Sequence, residues 1–244
     1  MEVKADLHIH TVLSPCASLD MSPKNIVEYA KAQGLKIIGI TDHNSTLQCK
    51  TVQKIAKDSG IFVLAGAEIT SREEVHNLVF FETFESLEIF QEFIDKNQPH
   101  FKNDISFGFQ AVVDENDVVI KEIDYYLGMA LNVGIDEIEE KVHQLGGLYI
   151  PAHINRPRFG LISQLGFVPN DIKADALEIF NRSSASTLLQ ENKYLEKFSL
   201  LKNSDAHTPE NIGIFFNTFD IENISFKEVK MALLKEDNRK VSIF

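Results

Sequence analysis

Short apolar or β-branched runs alternate with segments of helical period along most of this chain, and that alternation narrows the possible folds more than any other feature. Val3–His8, Lys36–Thr41, Ile61–Ala65 and Asn77–Phe81 read as strands. Between them, Ser22 and Pro23 open a helix as cap and first-turn residue, and Gly34 closes it. Thr46–Lys57 reads as a second helix, and Leu87, Phe90, Phe93 and Ile94 recur at helical spacing within Glu85–Asp95. Phe107–Val113 and Val118–Ile123 then flank an Asp114–Asp117 turn, which predicts a hairpin. The rhythm resumes with a helix at Ile135–Leu145 and strands at Leu148–Pro151, Ala176–Phe180 and Phe198–Leu201, and Phe226–Leu234 reads as a closing helix. Alternating β and α elements predict a parallel sheet, open or closed. The 244 residues suit one α/β barrel of about 250 residues. Residues 1–244 are therefore read as a single domain, with an inserted hairpin-containing segment at roughly 82–135.

The chemistry-bearing residues follow the strands. Eight histidines occur in the chain, and six stand in short polar clusters. His8 and His10 close the first strand, where residues two apart point the same way and can meet on one ion. Asp42-His43 follows KIIGIT, Glu68 follows Ile61–Ala65, and His76 opens the next strand. His153 follows Leu148–Pro151, and Asp205-Ala206-His207 follows Phe198–Leu201. Parallel α/β folds place their sites on the rim formed by the strand ends. A lone histidine there is usually structural. Imidazoles and carboxylates crowded on one rim would instead repel or stay unsatisfied without cations. Mixed nitrogen and oxygen ligands without a thiolate set suit Zn²⁺, Mn²⁺ or Fe²⁺. His100 and His143 fall outside every cluster and read as surface residues.

Hydrophobic residues make up 44% and charged residues 25%, enough for a sizeable core. No apolar run approaches the ~20 residues that span a bilayer, and the acidic start lacks a signal peptide's pattern. With only two cysteines, Cys16 and Cys49, the chain is expected in the cytoplasm, with no membrane association. The net charge of −12 disfavours extended nucleic-acid binding. It does not exclude a phosphorylated substrate, because bound cations would offset acidic ligands. Oligomeric state is not legible.

The motifs DLHIHT, ITDHN, GAE, His76, AHINRP and SDAH occur in the order of the PHP (polymerase and histidinol phosphatase) family, which the chain resembles from residue 6 to residue 207. The resemblance implies a distorted (β/α)7 TIM-like barrel, a trinuclear metal site and hydrolysis of phosphate esters. Carried over by position, His8, His10, Glu68 and Asp205 would hold one ion. Glu68 would bridge to a second ion held by His76 and His153, and His43 and His207 would hold a third. The family's aspartate ligand after HTxxS is Pro15 here, and proline cannot ligate. Asp20 is taken as the substitute carboxylate, with Cys16 as the alternative. Asp42 would orient a ligand from behind.

Two or three divalent ions at such a site would bind phosphate oxygens and supply hydroxide at neutral pH. Arg156 would contact the phosphate, its fork matching two oxygens, with Arg158 as a second candidate. The expected substrate is a small phosphorylated metabolite or nucleotide. The alternatives are an exonuclease trimming short single-stranded oligonucleotides and a non-catalytic, metal-stabilised scaffold.

Overall fold

The first strand, β1 (Glu2–Ile9), shows how the sheet separates apolar packing from chemistry. Val3, Ala5 and Leu7 join an inner cluster with Leu64, Leu78, Phe80, Leu148 and Ile150, whereas Ile9 joins an outer cluster beneath the helices. Residues of one parity should share a face. The pairing of β1 with its neighbour shifts register between Asp6 and Ile9, and this irregularity turns the strand over. His8 and His10 therefore take the inward positions that Leu7 and Ala5 occupy lower down.

The computed structural model describes residues 1–180 and 182–243. After β1 come α1 (Pro23–Ala32), β2 (Ile37–Ile40), α2 (Cys49–Lys57), β3 (Phe62–Thr70), β4 (His76–Phe81) and α3 (Phe84–Asn97). The stretch between α3 and the next helix carries a 3₁₀ turn at Ile105–Phe107 and the hairpin β5 (Ala111–Val113) and β6 (Val119–Glu122). Then follow α4 (Ile135–Gln144), β7 (Leu148–Pro151), α5 (Leu161–Leu165), β8 (Leu177–Glu178), α6 (Ala185–Glu191), β9 (Leu200–Leu201), β10 (Asn217–Asp220), α7 (Phe226–Leu234) and β11 (Lys240–Ile243).

The main sheet has the order β11-β10-β1-β2-β3-β4-β7. Only the pairs β1–β2 and β2–β3 are parallel in it; β10 is antiparallel to β1 and β11, and β4 is antiparallel to both β3 and β7. The sheet curls strongly into a half-barrel. Its far edge continues into the short parallel pair β8–β9 through Asp175 N–H to the Tyr149 carbonyl and Ile154 N–H to the Glu178 carbonyl. The chain after β9 returns to β1, where Ala206 N–H donates to the His8 carbonyl and His10 N–H to the Ala206 carbonyl. The α/β class and barrel-like curl follow the expectation, but the strand–helix alternation is less regular than (β/α)7 implies.

Local sequence explains most elements. The Ser22 side chain accepts from Asn25 N–H at the start of α1, with Pro23 at its first position, and Gly34 beyond its end has φ +74°. Thr83 and Ser225 cap α3 and α7 in the same way. Three expectations need correction. The hairpin strand begins at Ala111, because Asp104 caps a 3₁₀ turn over Ile105–Phe107 and Gly108 takes φ +118°. β3 runs on to Thr70, paired with β4 across six residues, so Glu68 lies inside a strand. The strands β10 and β11 were not anticipated, since NTFD carries no clear alternation. Among the described residues no helix is long and apolar enough to cross a membrane.

Candidate metal centre

Topology gathers the clusters at one end of the curl. β1, β2 and β3 deliver residues at or near their C-terminal ends. Because β4 is antiparallel, its first residue, His76, pairs with Thr70 at that same end of β3. β7 runs antiparallel to β4, so the chain leaves it at that rim and carries His153 there. Non-glycine residues with positive φ at this rim include Asn44 (43°), Glu74 (58°), His153 (29°), Phe159 (60°) and Asp205 (53°). Such backbone is held against its own preference by surroundings, and functional sites concentrate it. Asn44 shows how: its amide donates to the Leu127 and Met129 carbonyls and its oxygen accepts Thr70 N–H.

Glu68 is the hub. Its carboxylate oxygens lie 2.9 Å from His76 Nδ1, 3.1 Å from His43 Nδ1, 3.2 Å from His153 Nε2, 3.3 Å from His8 Nε2 and 3.5 Å from His10 Nε2. Asp205 Oδ1 stands 3.4 Å from both His8 Nε2 and His10 Nε2, which are themselves 3.2 Å apart. Two atoms bound tetrahedrally to one Zn²⁺ at ~2.0–2.1 Å are separated by about 3.4 Å. The spacings among His8, His10, Glu68 and Asp205 match the edges of that figure.

The outer partners set which ring nitrogen faces inward. His8 Nδ1 is 3.1 Å from both oxygens of Glu178, a buried carboxylate that also accepts from His153 N–H and Asn203 Nδ2. His10 Nδ1 meets Ser14 Oγ at 3.0 Å, and that hydroxyl donates to Asp42 at 2.6 Å. His207 Nδ1 donates to the Asp205 carbonyl at 2.8 Å. Each Nδ1 therefore carries the proton and each Nε2 presents a lone pair, the arrangement that metal-bound histidines adopt. His8 and His10 then direct two lone pairs at each other, which only a cation or an added proton can reconcile. His153 Nδ1 and His43 Nδ1 are buried without hydrogen-bond partners. The donor set fits divalent ions.

Electrostatics agree. Burial opposes ionisation of Glu68, yet the imidazoles of His76, His8, His153 and His43 hold its carboxyl well below the usual range. Asp205 is likewise held well below, with His8 and His10 outweighing burial. Burial pushes His10 down to about 4, while Glu178, Asp205 and Glu68 lift His8 well above its ordinary value despite its burial. Burial alone carries Asp6 up to about 6, even though it accepts from Ser204 N–H and Oγ, Gly213 N–H and His8 N–H. It braces the loop bearing Asp205 against β1.

The structure brings His8, His10, His43, Glu68, His76, His153, Asp205 and His207 together. Asp20 stays outside. Its side chain is exposed, a Ser18–Met21 turn carries it toward the start of α1, and Asn25 bonds its carbonyl. Cys16 takes part instead, its sulfur grouped with ring nitrogens of His10, His43 and His207. Arg156 Nη1 lies 3.3 Å from Asp205 Oδ2 in a cavity of about 210 Å³, whose lining also includes Tyr126 and Phe159. Arg158 is exposed and outside that lining. Glu178, Asp6 and Ser14 were not singled out from sequence. Glu178 lies within a strand stretch whose pattern looks ordinary, and Ser14 had only its place in the HTxxS pattern as a signal. Asp6 opens the DLHIHT motif, and that was its only signal.

Residues 6–198 match the PHP domain family, and the chain belongs to that family of metal-dependent phosphoesterases. Among similar proteins is YqxK of Bacillus subtilis, an uncharacterized protein 26% identical over 98% of this chain and 64% of its own length. The fold superposes on a lesion-specific endonuclease, PfuEndoQ of Pyrococcus furiosus, with TM-score 0.77 and 25% identity over 99% of this chain and 58% of that one. A structure of Endonuclease Q with a 27-mer duplex substrate, its abasic lesion at the active site, shares the fold at TM-score 0.75 and 24% identity, covering 98% of this chain and 58% of that one. The chain thus spans less than two thirds of the length of each of these three proteins.

These likenesses overturn the expectation that net charge disfavours extended nucleic-acid binding. The physical fault in that expectation is clear. A sum of −12 describes the whole surface, whereas a phosphate responds to the field at the site, where cations would offset Glu68 and Asp205.

Proposed function

We propose that this chain is a metal-dependent phosphoesterase that cleaves phosphodiester bonds in nucleic acid. The single observation that carries the reading is the buried convergence of six imidazoles on Glu68 and Asp205 with Arg156 alongside. The likeness to a lesion-specific endonuclease over 99% of the chain favours a polynucleotide over a small metabolite. Pocket size supports the same choice. A cavity of about 210 Å³ falls short of the ~300–1,000 Å³ of sites that enclose a small ligand. It admits a phosphate and leaves the rest of the substrate on the rim.

We assign His8, His10, Glu68 and Asp205 to one divalent ion, with Glu68 shared toward a second held by His76 and His153. Ions bound there would acidify water and neutralise phosphoryl oxygens. Arg156, tethered by Asp205 and about a third exposed at its side chain, donates to a nonbridging phosphate oxygen. Burial raises the Tyr126 phenol above its usual range, so it stays protonated and able to donate a hydrogen bond at the pocket wall. The Phe159 ring stacks on His76 with centroids 4.5 Å apart and shields that imidazole from water. Glu178 holds the proton on His8 Nδ1 throughout.

The test uses end-labelled single-stranded and duplex oligonucleotides, with and without an abasic position, incubated with Mn²⁺ or Zn²⁺. Metal-dependent cleavage lost in Asp205→Ala is the expected result. Turnover of aryl or sugar phosphates with every oligonucleotide left intact would end the nucleic-acid reading and leave a phosphatase. Absence of turnover on all of them would favour a metal-stabilised scaffold.

A further inference from the structure

The ligand assignments above leave one soft atom unused. Cys16 Sγ and one ring nitrogen each from His10, His43 and His207 lie within 4.8 Å of one another. The loop that carries Cys16 is tightly held. Ser18 N–H donates to the His207 carbonyl at 2.8 Å, and Ala17 N–H donates to the Ser14 carbonyl at 3.0 Å. Pro15 packs beneath Gly108, where an added Cβ would stand 1.8 Å from the Pro15 carbonyl oxygen. Tyr126 and Gly128 of the stretch between α3 and α4 line the same pocket as Cys16. The thiol is therefore fixed at the pocket mouth beside two imidazoles rather than swinging freely in solvent.

The surrounding nitrogens are available. His207 Nδ1 is engaged with the Asp205 carbonyl, leaving its Nε2 free. His43 Nδ1 makes no hydrogen bond, although it lies 3.1 Å from Glu68. His10 Nε2 already faces Glu68 and Asp205, so its ring, stacked on His207 at 4.2 Å, forms the partition between two ion positions. Three ligands remain on the outer side, and a catalytic zinc keeps three protein ligands and one open position.

We propose that Cys16, with His43 and His207, binds a thiophilic divalent ion, Zn²⁺ before Mn²⁺, at the outer position of the cluster. This rests on the metal-centre reading and deepens it. A carboxylate at this place would accept Mn²⁺ or Mg²⁺ readily, whereas sulfur selects for zinc-like ions. Binding displaces the thiol proton to solvent as the sulfur–metal bond forms. The outer ion is thereby matched to a different metal from the inner positions, whose ligands are imidazoles and carboxylates without sulfur.

The experiment is cobalt substitution of the full chain. Wild type and Cys49→Ser are expected to show a thiolate-to-cobalt charge-transfer band in the near ultraviolet, and Cys16→Ser to lack it while losing about one ion per chain. Zn²⁺ should slow labelling of Cys16 by a disulfide reagent at least about tenfold, the scale on which metal-site partners act. Cys16→Asp should restore the ion without the band and shift preference toward Mn²⁺. Cobalt bound at full stoichiometry in wild type with no such band would overturn the Cys16 assignment and leave the phosphoesterase reading intact. Failure to bind any cobalt would overturn both.

Discussion

Two concavities of this protein differ in size and in what their charges face. The larger, about 790 Å³, lies between the β3–β4 turn and α4 and is lined by charged residues including Arg72, Glu73, Glu137 and Lys173. The smaller, about 210 Å³, holds the imidazole cluster. In the groove the ions stand in water: the Arg72 and Glu137 side chains are 62% and 56% exposed and 3.7 Å apart. In the pocket His8 is fully buried and Glu68 is 1% exposed. Solvated ion pairs contribute little and ask for no partner. Buried ionisable groups must be paired, hydrogen-bonded or bound to metal. Volume alone points to the wrong place, and the burial of the charges points to the right one.

The largest effect that would test this contrast comes from the pocket's own ligands. His8→Ala and Asp205→Ala are expected to lose bound metal and to reduce phosphoester hydrolysis by more than about 100-fold, beyond the loss seen for outer partners alone. Elemental analysis beside a turnover assay checks both. Full metal retention in both variants would place the ions elsewhere.

Next in size is Glu178→Gln. It keeps the shape but removes the charge that holds His8 Nδ1–H, and metal affinity should fall about 10–100-fold. Metal titration against a competing chelator reads it directly.

Metal-free protein should show the burial cost of Asp6 as a pH dependence. Its carboxyl sits at about 6 when folded against an ordinary 3.8, so between those values the native state holds more protons than the unfolded chain. Stability then falls as pH rises through that window, by on the order of 3 kcal/mol at most. Urea unfolding of the chelator-treated protein from pH 3.5 to 7 would reveal the slope, and Asp6→Asn should flatten it.

The smallest effect belongs to the groove. Arg72→Ala and Glu137→Gln should change stability by no more than about 0.5 kcal/mol and leave turnover unaltered. A large loss of activity in either would erase the distinction between the two concavities.

Much of the site was legible because its ligands sit in short motifs beside strand ends, where strand position predicts direction. His8, His43, His76, His153, Asp205 and Glu68 were all singled out in this way. Asp20 was misplaced because distance along the chain says nothing about a turn that folds the carboxylate outward. Glu178 was missed for a related reason. It lies 170 residues from His8, inside a two-residue strand with no motif around it.

Local order along the chain determined the α/β class, the family motifs and the identity of most inward-facing donors, since residue spacing and apolar period act over a few positions. Only the tertiary structure decided that a register shift in β1 turns His8 inward, that β4 runs antiparallel and so delivers His76 to the rim, and that Cys16 rather than Asp20 meets His43 and His207. Those outcomes depend on hydrogen bonds between segments far apart in the chain, and no local pattern encodes which distant strand will close them.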